Sequence, residues 1–157
     1  MAYLAMMALD KSRCTIMEDG GKKYIRASEA VAYVEKKLNS SLGLPSYRTL
    51  RYYVTQGVVE RPQHLGKEVY FESEYAMNVI SLLKLLRPAN PSLNQMKKII
   101  LNVRRHNQFK EASKVLAQAN ASMLLDSRGK DVVLEQLATK KPSDIDVKEI
   151  EIRTNEP

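Results

Sequence analysis

Residues 46–57 read Ser-Tyr-Arg-Thr-Leu-Arg-Tyr-Tyr-Val-Thr-Gln-Gly, and no other segment narrows the options of this chain as far. Ser46 is a preferred helix N-cap. Gly43-Leu44-Pro45 just before it is turn-prone, and Gly57 suits the left-handed residue that closes a helix. The pattern predicts a short helix of a little over two turns. Two arginines and three tyrosines on so short a rod do not suit burial. They suit phosphate oxygens and base edges in a major groove, where arginine pairs bidentately with guanine.

Charge supports the same direction. The chain of 157 residues carries a formal net charge of +7, and the excess is uneven. From Lys22 to Phe71 there are nine Lys/Arg against four Asp/Glu, and from Lys84 to Lys114 eight against one. From Val115 onward the balance reverses, six against eight. A cationic surface confined to one part of a chain is the electrostatic footprint of a nucleic-acid binder.

Apolar spacing organises the rest. Ala30, Val31, Val34 and Leu38 make one stripe of a helix that starts near Ser28, and Asn39-Ser40-Ser41 breaks it. With the Ser46 helix this forms a helix-turn-helix, the second helix being the candidate reader. Val58-Val59 is expected as a short strand stopped by Pro62, pairing with Val69-Tyr70-Phe71 across the polar loop 63–68. A hairpin in that position is a wing. A helix over about 73–86 follows, then a capping box at Ser92 and Gln95 that opens another, with Met96, Ile99, Ile100 and Val103 as its inner face.

Phe109, Ala112, Leu116, Ala119 and Met123 alternate spacings of three and four, as in a coiled-coil seam, and are read as a dimerisation face. Gly129 is expected to stop that helix. Residues 132–138 form one more short helix, and Ile145, Val147, Ile150 and Ile152 belong to a marginal strand or a loose tail. The expected division is an N-terminal arm or strand over 1–21, a DNA-binding domain over 22–106, a dimerisation helix over 107–128 and a short helix with tail over 129–157. The fold class is mainly α, a winged helix-turn-helix with a small β-hairpin wing and a C-terminal dimerisation helix.

The order of these elements, with Thr49-Leu50-Arg51-Tyr52-Tyr53, Gly57-Val58-Val59 and Arg61-Pro62 at their spacings, resembles the mercury-resistance-regulator (MerR) family of winged-helix transcription factors. The likeness covers roughly Tyr24 to Met123. It implies a homodimer on promoter DNA, each second helix in a major groove, each wing on flanking backbone, and RNA polymerase as a further partner. Glu68 stands where the family usually carries a wing arginine, and Lys67 beside it supplies a charge instead. About 30 residues remain after the seam, with no cysteine among them, which speaks against a metal-sensing loop.

The candidate DNA-binding residues are Arg26, Ser46, Tyr47, Arg48, Thr49, Arg51, Tyr52, Tyr53, Lys67 and Tyr70. Arg48 and Arg51 are the base-edge and phosphate contacts, and Tyr47 a stacking group. Of Tyr52 and Tyr53, one packs beneath the wing and the other offers its hydroxyl to phosphate. Leu50 is core. Lone Cys14 excludes an internal disulfide and fits a reduced, cytoplasmic setting. No apolar run has membrane-spanning length. With no glycine-rich phosphate loop and no nucleophile beside a base, the chain is not expected to be an enzyme, and no cofactor or metal is expected. Two other readings stay open: a phage or plasmid recombination-directionality or architectural factor, and a protein-binding modulator that keeps the fold without binding DNA.

Overall fold

A computed structural model describes residues 6–9, 14–126 and 128–154. The chain divides between Ser81 and Leu82 into two units, so the boundary falls well before the expected one at 106.

The first unit is built on a five-stranded antiparallel sheet, ordered β1-β2-β3-β5-β4. Its strands are β1 (Met6–Leu9), β2 (Thr15–Asp19), β3 (Lys22–Arg26), β4 (Gln63–Leu65) and β5 (Glu68–Glu72). The expected arm is therefore sheet over 6–9 and 15–19, while its residues 1–5 and 10–13 lie outside the described part. Gly20 and Gly21 take φ of 60° and 80°, the two positive values that a tight hairpin between twisted strands demands. Between β3 and β4 the chain leaves the sheet for two helices, α1 (Ala30–Leu38) and α2 (Tyr47–Thr55). A turn of 3-10 helix over Ala27–Glu29 precedes α1, so helical structure begins near Ser28 as expected.

The hairpin is present, but its first strand is not Val58-Val59. The amides of both valines bond to the Tyr53 carbonyl at the end of α2, and both side chains are buried. They plug the core, and polar Gln63-His64-Leu65 becomes the edge strand instead. The turn is Gly66-Lys67, with Gly66 at φ 73°.

Strand alternation gives the sheet two faces. Ile16, Ile25 and Phe71 lie in register on one face, which α2 shares through Leu50. Met17, Tyr24 and Tyr70 cluster on the other face, with Leu65 packed against them.

Helix α3 (Ser73–Leu86) runs across the division between units. The second unit is helical: α4 (Leu93–His106), α5 (Phe109–Ala121), α6 (Gly129–Thr139) and α7 (Val147–Thr154). The capping box at Ser92 and Gln95 forms in full, and Met96, Ile99, Ile100 and Val103 are buried as their spacing predicts. Two expectations need correction. Gly129 does not stop a helix: it begins α6 and packs so close to Leu124 that an added Cβ would lie 2.6 Å from its Cδ2. The stretch after Pro142 is neither strand nor loose tail. Val147 and Ile150, one helical turn apart, are buried on the inner face of α7; residues 155–157 lie outside the described part.

Four of the five expected seam residues are corrected as well. Phe109, Ala112, Leu116 and Ala119 are buried by the unit's own helices, so they are core and offer no open face to a second copy. Met123 points out, 67% exposed, from a residue at φ 60° beyond the end of α5. Three- and four-residue spacing marks any helix with one buried face, and here that face is satisfied within the chain. Among the described residues no helix is long and apolar enough to cross a membrane.

Candidate nucleic-acid interface

Helix α2 begins as its sequence requires. The Ser46 hydroxyl accepts from the Thr49 amide at 3.1 Å and donates to the Thr49 hydroxyl at 3.0 Å. Ser46 and Thr49 are thus occupied with holding the helix start. At the other end Gly57 takes φ 80°, and the Val58 amide closes onto the Tyr53 carbonyl. The Tyr75 hydroxyl then accepts from the Glu60 amide at 3.0 Å and fixes the strand entry.

At about 100° per residue, α2 separates into two arcs. Leu50 is buried at the centre of the inner arc, with Thr49, Tyr53 and Val54 half-buried around it. Tyr47, Arg48, Arg51, Tyr52 and Thr55 form the exposed arc. Of the tyrosine pair, Tyr53 turns inward and Tyr52 is 49% exposed, their rings tilted at a centroid distance of 6.0 Å. The Arg51 guanidinium lies over the Tyr47 ring, 5.8 Å from its centroid. Among the described residues no carboxylate lies within 4.0 Å of Arg48, Arg51 or Lys67. Lys67 stands exposed in the hairpin turn, with Glu68, also exposed, beside it.

Tyr70 is the candidate the structure takes away from the surface set, while Arg26 is half-buried. Tyr70 is 1% exposed on the face of the sheet opposite α2. Its neighbour Val69 and Phe71 face the helix, so alternation turns Tyr70 the other way, among Met17 and Tyr24 of strands that the sequence did not announce. Arg26 lies directly opposite Tyr70 in the register and pairs with Glu29 at 3.6 Å. The Tyr70 hydroxyl raises the Arg26 pKa above the ordinary arginine value against the effect of burial, and the charges of Glu29 and Glu68 add to the rise. Glu29 also accepts from the Thr15 amide and hydroxyl, tying β2 into the same network. These half-buried contacts tie β2, β3 and the 3-10 turn together.

Two further features of the unit border α2. The connection between α1 and α2 runs over residues 39–46, longer than the turn of about three or four residues usual between paired helices, and it holds Leu42 out at 79% exposure. Beside α2 the inner arc and the sheet leave a cavity of about 290 Å³, floored by Leu50, Val54, Val69 and Phe71 and edged by Tyr47 and Arg51. Compared with family models, with curated proteins and with solved structures, the chain finds no match.

Proposed function

We propose that the first unit is a winged helix-turn-helix reader of double-stranded DNA and that the protein is a sequence-specific transcription regulator. The observation that carries this reading is the exposed arc of α2: two arginines and two tyrosines on one side of a capped helix, with no carboxylate within ion-pair reach of either arginine among the described residues. Nine residues make about 13.5 Å of helix, comparable with a major groove about 12 Å wide. The resemblance to the mercury-resistance-regulator family points the same way.

Division of labour follows from position. Arg48, in the first turn, reaches base edges, and Arg51 with Tyr52 holds the backbone. Lys67 in the hairpin turn adds a phosphate contact on the flank, with Glu68 limiting its strength. Ser46 and Thr49 serve by keeping the helix start rigid. The apolar face of α5 is buried inside the second unit.

The deciding experiment is selection from random duplex DNA followed by sequencing. A defined motif supports the reading, and two half-sites separated by a helical turn or a multiple would add a dimer. Enrichment of no motif, with no retention of duplex at physiological salt, would overturn it in favour of the protein-binding alternative.

A further inference from the structure

We propose that the cavity beside α2 is a binding site for a small amphipathic monocarboxylate, its apolar body lying on Leu50, Val54, Val69 and Phe71 and its carboxylate on the Arg51 guanidinium. The floor is aliphatic and aromatic, and the opening is marked by the exposed Arg51 and the Tyr47 ring beneath it. A site of this kind, apolar with one convergent charged group, selects a ligand by shape and orients it by that charge. No acidic side chain lines the cavity. An amine would therefore face a cation with no partner of its own, and a purely apolar molecule would leave the guanidinium unused. A carboxylate matches the fork of arginine donors in two parallel hydrogen bonds. Volume sets the scale of the part of the ligand that is enclosed. At about 30 Å³ for each heavy atom, the share a water molecule takes in the liquid, 290 Å³ holds about ten non-hydrogen atoms.

The site has a regulatory consequence, which rests on the DNA-binding reading above. Arg51 serves a phosphate in one role and a carboxylate in the other. One guanidinium does not hold both, so the ligand competes with the duplex and acts as an anti-DNA effector lodged in the reading unit itself.

Octanoate, with ten non-hydrogen atoms, is the probe, and octanol and octylamine are its controls. Backbone amide shifts followed during titration of the full chain should move saturably for residues 50–55 and 68–71 with octanoate, weakly with octanol and not with octylamine. Arg51→Gln should weaken octanoate roughly tenfold or more, the loss expected for a charge-assisted hydrogen bond. Val69→Phe fills the cavity and should abolish the shifts while duplex binding persists; Val69→Met is the gentler filling if the larger ring unfolds the hairpin. Saturating octanoate should weaken duplex binding by the parent chain and leave Val69→Phe unaffected. Absence of saturable shifts, or equal affinity for octanol and octanoate, overturns the proposal, as does full retention by Arg51→Gln. A parent chain that fails to bind duplex even without octanoate would sink the DNA reading alone, and the shift titration would still decide the cavity.

Discussion

The guanidinium of Arg51 rests over the ring of Tyr47, 5.8 Å from its centroid, one helical turn back along α2. The stack holds a long side chain in place without an ion pair, so the charge stays available while its motion is restricted. Cation–π contacts at exposed sites contribute about 0.5–1 kcal/mol, enough to bias a rotamer and too little to hold the arginine against a phosphate.

Arg48 and Arg51 should separate in a salt titration. Arg48→Ala should cost about 1–3 kcal/mol on the selected sequence and flatten preference at one base pair. Arg51→Gln should weaken binding to all sequences alike and reduce the slope of log affinity against log salt by about 0.9. Fluorescence anisotropy at several salt concentrations, on the selected site and on a scrambled one, measures both. Identical behaviour of the two variants would argue against the assignment of base and backbone roles.

Tyr70→Phe should leave duplex affinity unchanged and lower the stability of the first unit by about 0.5–1.5 kcal/mol, since the Arg26 guanidinium loses the hydroxyl that favours its charge. Chemical denaturation and anisotropy on the same sample check this. A drop in affinity with stability intact would return Tyr70 to the interface.

How far the sequence was readable depends on the range of each interaction. The Ser46 cap, the Ser92 capping box and the Gly57 closure each involve residues no more than five positions apart, so they could be read directly. Tyr70 could not, because its face has meaning only once β2 and β3 are known to flank β5. Those strands are short and, in Lys22-Lys23-Tyr24-Ile25-Arg26, largely polar. Val58-Val59 looked like a strand because β-branched residues favour one, yet their amides were already claimed by the end of α2. The stripe on α5 was legible as a buried face; what buries it was not, because periodicity is the same for a core and for a dimer seam.

Leu116→Ala tests that last point. As a core side chain with no exposed surface, it should lose about 2–5 kcal/mol of stability on truncation. The loss should be the same at every protein concentration, whereas a seam residue would make the midpoint of unfolding depend on concentration.

Asn102 is the buried polar side chain of α4, and its amide donates to the carbonyls of Leu137 at 2.8 Å and Lys140 at 2.7 Å. It adds to the end of α6, where the Lys140 amide already bonds to the Gln136 carbonyl. Asn102→Leu should destabilise the second unit by about 2–4 kcal/mol, since two carbonyls lose their donor. Asn102→Asp should cost more at neutral pH. An ionised carboxylate would face two acceptors, and burial would raise its pKa. With the folded-state pKa above the unfolded one, that variant should regain stability as pH falls below the folded value and lose it as pH rises through it. Thermal unfolding across pH follows the effect; a flat profile would contradict it.

Strands β3 and β5 lie side by side with Ile25 opposite Phe71, and everything from Ala27 to Lys67 leaves and returns between them. The main chain thus carries its own clasp: the entire helical head is a closed excursion whose two feet are laced together. A fragment trimmed to begin at the first helix would sever that lacing and leave the head to pay the full loop-closure entropy unaided. Extra residues spliced into 39–46 would be absorbed as slack, with both feet unmoved.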